Sequence, residues 1–389
     1  MPHPTIWLSA GEVSGDMYGA KLAQEILTQL PTAKLIGMGG QKMKEAGVHL
    51  IQDVTSVSTI GFLEPLKHLK KYLTAFKKIK HQLHINQPDI VIAIDFQGFN
   101  IKILEHAKKI GLKTAYFISP QEWQWGSDNG GKKVIQVTDI LLAIFKQEYD
   151  FYKRLGGNVK FIGHPLLDIV SPTLTQQQFK EKFNLDTQKQ WIAIFPGSRK
   201  QEVKHVYPHL LKAAQQLYAK TPTLHFLVSI AENNLADEII APLKKSKIPF
   251  TIIKNHSHDI INNCLLSLCS CGTITLEHAI LGKPCITGYR LNAISYKVAF
   301  AIVGKKWKEK IGYIALPNIY LHQNVIPEFL QDHCTAENIS KAAFSLINDK
   351  TTYQECQNQL KKVQEMLGDK GATQHAATLI LDALKTPQI

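Results

Sequence analysis

The chain has 389 residues, with 45 lysines and arginines against 32 acidic residues, a formal charge of +13, 44% apolar residues and 8% aromatic ones. This composition excludes a disordered or collagen-like chain, and the length exceeds what one hydrophobic core usually serves, so two domains are expected. The positive balance suits nucleic acid, anionic lipid or a phosphorylated substrate, and charge alone does not choose among them.

In chain order, short runs rich in Ile, Val, Leu and Phe alternate with longer segments of helical period, the pattern of a parallel sheet with crossover helices. Strands are expected at Thr5 to Ala10, Lys34 to Ile36, Asp89 to Ile94, Lys113 to Ile118, Asp139 to Ile144 and Val159 to Ile162. After Gly163-His164-Pro165-Leu166-Leu167-Asp168 the chain turns polar through Thr173 to Phe179. A second series follows at Trp191 to Phe195, Leu224 to Ser229, Pro249 to Ile253, Leu265 to Cys269 and Pro284 to Thr287. The expected division is a domain over 1–168, a second over 169–360, and a helical tail over 361–389 that returns to the first. No run of eighteen apolar residues and no signal-peptide pattern occurs, so the protein is expected in the cytosol. Cys264, Cys269 and Cys271 lack paired Cys-x-x-Cys spacing, which favours buried thiols over structural zinc.

In open parallel sheets ligands bind beyond the carboxyl ends of strands, and four such loops stand out. Gly11-Glu12-Val13-Ser14-Gly15-Asp16, then Gly19, reads as either a binding loop or a plain tight turn. Asp95 directly follows Ile90-Val91-Ile92-Ala93-Ile94, where an apolar surrounding suits a general base; the competing reading is a loop or capping aspartate. Pro196-Gly197-Ser198-Arg199 precedes a helix and offers a hydroxyl, a guanidinium and free N–H groups to a diphosphate; the alternative is a surface arginine on a turn. Gly272 and Thr273 open another helix, and Glu277, one turn on, can accept both hydroxyls of a ribose.

Two stretches are basic and amphipathic. Leu66, Leu69, Leu73, Phe76 and Ile79 recur at helical spacing among Lys67, Lys70, Lys71, Lys77, Lys78 and Lys80, which fits either a helix on an anionic membrane or a core helix with a solvated lysine face. Tyr296 to Ile302, followed by Lys305-Lys306-Trp307-Lys308, carries the same two readings. No nucleic-acid-binding module appears, so nucleic acid is not an expected partner.

Taken together and in this order, the loops resemble the lipid-A-disaccharide synthase family of inverting glycosyltransferases. The resemblance rests on Gly11 to Asp16, Gly61-Phe62, Asp95 with Phe99-Asn100, Ser119-Pro120-Gln121 with Trp123 and Trp125, and Gly163-His164-Pro165. It continues through Pro196 to Arg199, Gly272-Thr273 with Glu277, Gly288-Tyr289-Arg290, and Leu316-Pro317-Asn318.

That resemblance implies an α/β chain of two Rossmann-like domains facing a cleft, the glycosyltransferase-B arrangement. It also implies transfer from UDP-2,3-diacylglucosamine to 2,3-diacylglucosamine 1-phosphate, forming a β-1,6 disaccharide and UDP. Asp95 then corresponds to the base. Ser198, Arg199, Gly272 and Thr273 correspond to the diphosphate site, and Glu277 to the ribose site. Gly11, Glu12, Ser14 and Asp16 are expected near the sugars, and Tyr289 and Arg290 join the substrate-binding set. No Asp-x-Asp pair occurs, so neither metal nor other cofactor is expected. Lipid substrates imply a peripheral place on the anionic inner membrane surface, on its cytoplasmic side; a homodimer is left open.

The chain also departs from the family pattern. Where members often read Asp-x-Pro-Asp-Phe-Asn, it has Asp95-Phe96-Gln97-Gly98-Phe99-Asn100, so Asp95 must act without a second aspartate there. Cys271 stands where serine is usual, and Gln121-Glu122-Trp123-Gln124-Trp125 differs from the usual Val-Trp-Ala-Trp ending. Competing readings are another glycosyltransferase of the same arrangement, a UDP-sugar epimerase, or a basic binding protein with a decayed site.

Overall fold

The computed structural model describes residues 3–53, 69–124, 126–230, 235–292, 296–297 and 312–385. The chain forms two α/β units, Met1–Asp168 with Leu367–Ile389, and Ile169–Met366.

Among the described residues, the first unit carries β1 (Thr5–Ala10), β2 (Lys34–Gly39), β3 (His49–Asp53), β4 (Ile90–Ile94), β5 (Lys113–Phe117), β6 (Ile140–Ala143) and β7 (Val159–Phe161). They form one parallel sheet in the order β3-β2-β1-β4-β5-β6-β7. Crossover helices cover both faces of such a sheet, so its central strands are apolar without alternation. All five residues of β4 are buried.

The second unit repeats the plan with β8 (Gln190–Phe195), β9 (Leu224–Ile230), β10 (Phe250–Lys254), β11 (Leu266–Ser270), β12 (Cys285–Tyr289) and β13 (Glu328–Leu330). Their order is β10-β9-β8-β11-β12-β13, again parallel. In each sheet the order reverses once, between β1 and β4 and between β8 and β11. A crevice for ligand opens at that kind of reversal.

Two strands lie outside the expected set. β3 and β13 are both edge strands, and β13 has only three residues, none of them buried. Neither presents the apolar run that marks a central strand.

The chain leaves the first unit after Asp168 and returns at Leu367. The His164 N–H donates to the Leu367 carbonyl at 2.8 Å, and Asp168 accepts from the N–H groups of Gly371 and Thr373. The helix Ala372–Lys385 is held there too, since Lys113 donates to the carbonyls of Ala383 and Leu384. The return comes six residues later than the expected tail boundary. The reason is that the helix Lys350–Met366 buries Cys356, Leu360 and Val363, and Tyr353 donates to the Leu265 carbonyl beside β11.

Candidate active site

Asn100 fastens the reversal point of the first sheet. Its side-chain amide donates to the carbonyls of Ser9, Ile94 and Asp95, while its oxygen accepts from the Ser9 hydroxyl at 2.7 Å. The ends of β1 and β4 are thereby locked together by one buried residue. Asp95 and Phe96 both adopt positive φ, +48° and +52°, which turns the chain sharply from β4 into the helix Gln97–Lys109. Positive φ is costly for residues with a side chain. It is offset here because the Asp95 carbonyl also accepts from the Tyr116 hydroxyl at 2.9 Å and its N–H donates to Phe117. The Asp95 side chain is half-buried.

Gly11 lies against this turn. A Cβ there would stand 2.1 Å from the Phe96 ring, so only glycine lets the two loops meet. Glu12 caps the helix Val13–Gln29 in extended conformation, and Ser14 sits half-buried in its first turn.

Asp16 has a different task from the expected sugar-facing one. Its buried carboxylate accepts from the N–H groups of Gly40, Lys42 and Met43 at 2.7 to 3.0 Å. It therefore caps the short helix Gln41–Glu45 from a distance. No local signal marks this, because the capped residues lie more than twenty positions along the chain.

Beside Asp95, the loops after β5 and β6 share one buried carboxyl. Glu148 accepts from the Ser119 hydroxyl at 2.6 Å and from the N–H groups of Ile144 and Phe145. Burial pushes it up to about 8 despite these donors, and Asp95 adds to the rise. Tyr152 donates to the Pro120 carbonyl, completing a rigid floor under Ser119-Pro120-Gln121. His164 is buried and neutral, held down to about 3 by desolvation. Its Nδ1 accepts from the Leu166 N–H, which puts the ring proton on Nε2.

In the second unit, Gly197 turns at φ +115° after β8, and a Cβ there would meet the Glu202 side chain at 2.5 Å. Glu202 accepts from the N–H groups of Ser198 and Arg199, and its other oxygen pairs with the Arg199 guanidinium at 2.9 Å. The loop is thus held by a carboxylate three residues past the helix cap, a capping-box position. Tyr289, at the end of β12, has its hydroxyl pushed up to about 12, first by burial and then by Cys271 and Glu202, while Arg199 acts oppositely. Ser198, Arg199, Cys271 and Tyr289 are therefore gathered at the carboxyl ends of β8, β11 and β12.

Gly272 and Thr273 are half-buried at the start of the helix Ile274–Ile280, and a Cβ on Gly272 would meet nothing within 4 Å. Just before them, the buried Ser270 hydroxyl has no partner among the described residues. Glu277 lies 3.5 Å from His258. Arg290 follows Tyr289 at the carboxyl end of β12; it donates to the Gln331 carbonyl and lies 3.8 Å from Asp332, both just past β13.

The six cysteines are all buried in the second unit. Cys269, His278 and Cys285 lie close enough for one ion. Both nitrogens of His278 are already engaged, with the Ile274 carbonyl and the Ser267 hydroxyl.

A family model described as lipid-A-disaccharide synthetase matches residues 6–381. The chain belongs to the lipid-A-disaccharide synthase family. It is 36% identical over 398 residues to the lipid-A-disaccharide synthase of Sulfurihydrogenibium sp. (strain YO3AOP1), covering 98% of this chain and 99% of that one. It is 35% identical over 381 residues to that of Trichlorobacter lovleyi, covering 98% and 97%. Among solved structures, a UDP-GlcNAc 2-epimerase from Neisseria meningitidis bound to UDP-GlcNAc superposes with a TM-score of 0.62, over 98% of this chain and 100% of that one. At 12% identity that likeness shows the fold alone.

Two departures from the pattern of lipid-A-disaccharide synthases meet in space. The Gln97 side-chain amide donates to Glu122 Oε1, and Glu122 Oε2 accepts from the Ser127 N–H at 3.1 Å. Gly98 beside them leaves open space where a Cβ would stand. Trp125 and Gly61-Phe62 lie outside the described residues.

The basic helix Leu69–Asn86 turns one face to the core and another to solvent. Ala75, Ile79 and Leu83 are in the core and Phe76 packs on Phe99, whereas Leu73 is 51% exposed beside the exposed Lys77 and Lys78. Leu66 and Lys67 lie outside the described residues. Of the second stretch only Tyr296 and Lys297 are described, both exposed. No described helix is long and apolar enough to cross a membrane.

Proposed function

We propose that the chain transfers 2,3-diacylglucosamine from UDP-2,3-diacylglucosamine to the 6-hydroxyl of 2,3-diacylglucosamine 1-phosphate, forming the β-1,6 disaccharide of lipid A and UDP. Asp95 takes the proton as the hydroxyl oxygen attacks the donor's anomeric carbon, and the bond to the diphosphate breaks on the opposite side with inversion. The observation that carries this reading is the fixing of Asp95 by Asn100 and Tyr116 at the reversal point of a sheet, in a chain of this family.

Arg199 and Ser198, with Gly272 and Thr273, stabilise the negative charge that gathers on the departing UDP. Glu202 supports that role by aiming the guanidinium. Glu277 accepts the ribose hydroxyls and Tyr289 lines the nucleotide side. Gly11, Glu12 and Ser14 lie at the acceptor side, whereas Asp16 and Arg290 contribute through the loops they hold. The sequence carries no Asp-x-Asp pair of the kind that holds a metal-bound nucleotide diphosphate, and the proposed reaction uses these side chains without a metal.

Because both substrates carry acyl chains, the reaction takes place at the cytoplasmic face of the inner membrane. Leu73 with Lys77 and Lys78 supports peripheral docking there.

The test is incubation of both substrates with the enzyme in detergent micelles containing EDTA. Disaccharide and UDP in equal amounts support the proposal. UDP-sugar binding without product, or activity restored only by added magnesium, overturns the acceptor or the metal-free route respectively.

A further inference from the structure

His258 stands between Glu277 and the segment by which the chain enters the second unit. Its Nε2 lies 3.5 Å from Glu277 Oε2, and both side chains are less than a quarter exposed. The backbone of Ser171 is among the groups that favour the charged form of the ring. No described residue bonds to Glu277 Oε1. Next to His258, the buried Asp259 accepts from the N–H groups of Thr173 and Leu174, the Thr173 hydroxyl and His256 Nδ1. One turn of chain, 256–259, therefore grips the entering segment on one side and Glu277 on the other.

We propose that His258 is a positioning residue for the donor nucleotide: it holds one oxygen of Glu277 and so presents the other to the ribose hydroxyls. The inference rests on the reading of Glu277 as the ribose acceptor. A glutamate alone keeps three rotatable side-chain bonds, and a partner with a fixed donor direction removes that freedom before the nucleotide arrives.

The ring lies 3.5 Å from the Glu277 carboxylate, and the Ser171 backbone and the Asp259 carboxylate of its own turn act on it as well. A protonated ring attracts the carboxylate by charge as well as through its N–H, which a neutral ring does not. Burial works against the charge, yet the hydrogen bonds and the carboxylates leave His258 above its ordinary 6.5. Deprotonation at higher pH removes that charge and weakens the ring's hold on Glu277.

The experiment measures dissociation constants of UDP and 2′-deoxy-UDP for the full chain by calorimetry, for the native protein, Glu277→Ala, His258→Ala and His258→Gln. The native protein should prefer UDP by about tenfold or more, as expected for a hydrogen bond to a charged group. Glu277→Ala should abolish the preference and His258→Ala should lower it several-fold. In the native protein the preference should decline as rising pH removes the proton from His258. His258→Gln, which donates but does not titrate, should retain part of the preference with no pH course.

Full preference with an unchanged pH course in both His258 variants, alongside its loss in Glu277→Ala, overturns the inference and leaves the ribose reading standing. Full preference in Glu277→Ala overturns both. A merely structural histidine would change melting temperature without changing the ratio of the two constants.

Discussion

Glu202 holds Arg199 twice, by its backbone N–H and by its guanidinium at 2.9 Å, so the side chain proposed for the diphosphate is held in one direction. Replacing Glu202 by Gln keeps an acceptor for the loop N–H groups but loses the charge on the guanidinium. Turnover should fall about tenfold with little change in melting temperature, whereas Arg199→Lys, which loses the planar fork, should fall about a hundredfold. Steady-state kinetics with the UDP donor separates the two; equal effects would remove Glu202 from its aiming role.

Asn100 is the corresponding fastening in the first unit. Asn100→Ala leaves the carbonyls of Ser9, Ile94 and Asp95 without this donor and should cost about 2 to 4 kcal/mol of stability. Activity should fall by more than the folded fraction does, because the Asp95 turn loses its hold. Urea unfolding beside activity at a temperature where the variant stays folded checks this. Activity tracking the folded fraction would make Asn100 purely structural.

Each buried neutral imidazole should make its own unit more sensitive to acid, an effect opposed in the first unit by Glu148, whose carboxyl is pushed up to about 8 by burial and so stabilises the fold as pH falls. Desolvation holds His164 down to about 3 and His278 down to about 4, whereas each takes a proton near 6.5 once unfolded. The contribution of each neutral ring is therefore complete above pH 6.5 and declines as pH falls toward the folded value. At pH 5 each should have lost about 2 kcal/mol. Denaturant midpoints at pH 7 and pH 5 for native protein beside His278→Gln test this: on going to pH 5 the native protein should lose about 2 kcal/mol relative to the variant, and an equal change in both would contradict it.

The surface formed by Leu73, Lys77 and Lys78 should matter to location and not to chemistry. Lys77→Glu with Lys78→Glu should weaken sedimentation with anionic vesicles several-fold and leave turnover in micelles unchanged. Unchanged vesicle binding would assign docking to another surface.

How far the sequence could be read follows from where the signals are local. The central strands announce themselves as apolar runs, and Asp95, Ser198 and Arg199 stand directly after such runs. β3 and β13 lack that mark because edge strands are not buried on both faces. Asp16 shows the limit most clearly: a carboxylate in a glycine-rich loop reads as a ligand contact, yet its partners are N–H groups of residues 40 to 43, which only the folded chain brings to it. Glu202 could have been found, since a glutamate three residues past a helix cap is a local pattern. His258 could not, because its partners, Ser171 and Glu277, are distant along the chain.

The central claim is that Asp95 is the base in an inverting transfer. The most direct test compares native protein with Asp95→Asn for disaccharide formation from UDP-2,3-diacylglucosamine and 2,3-diacylglucosamine 1-phosphate, with UDP binding measured on the same samples. Turnover lowered about a hundredfold or more at unchanged UDP affinity is the predicted result. A variant that turns over within a few-fold of the native rate would contradict the assignment.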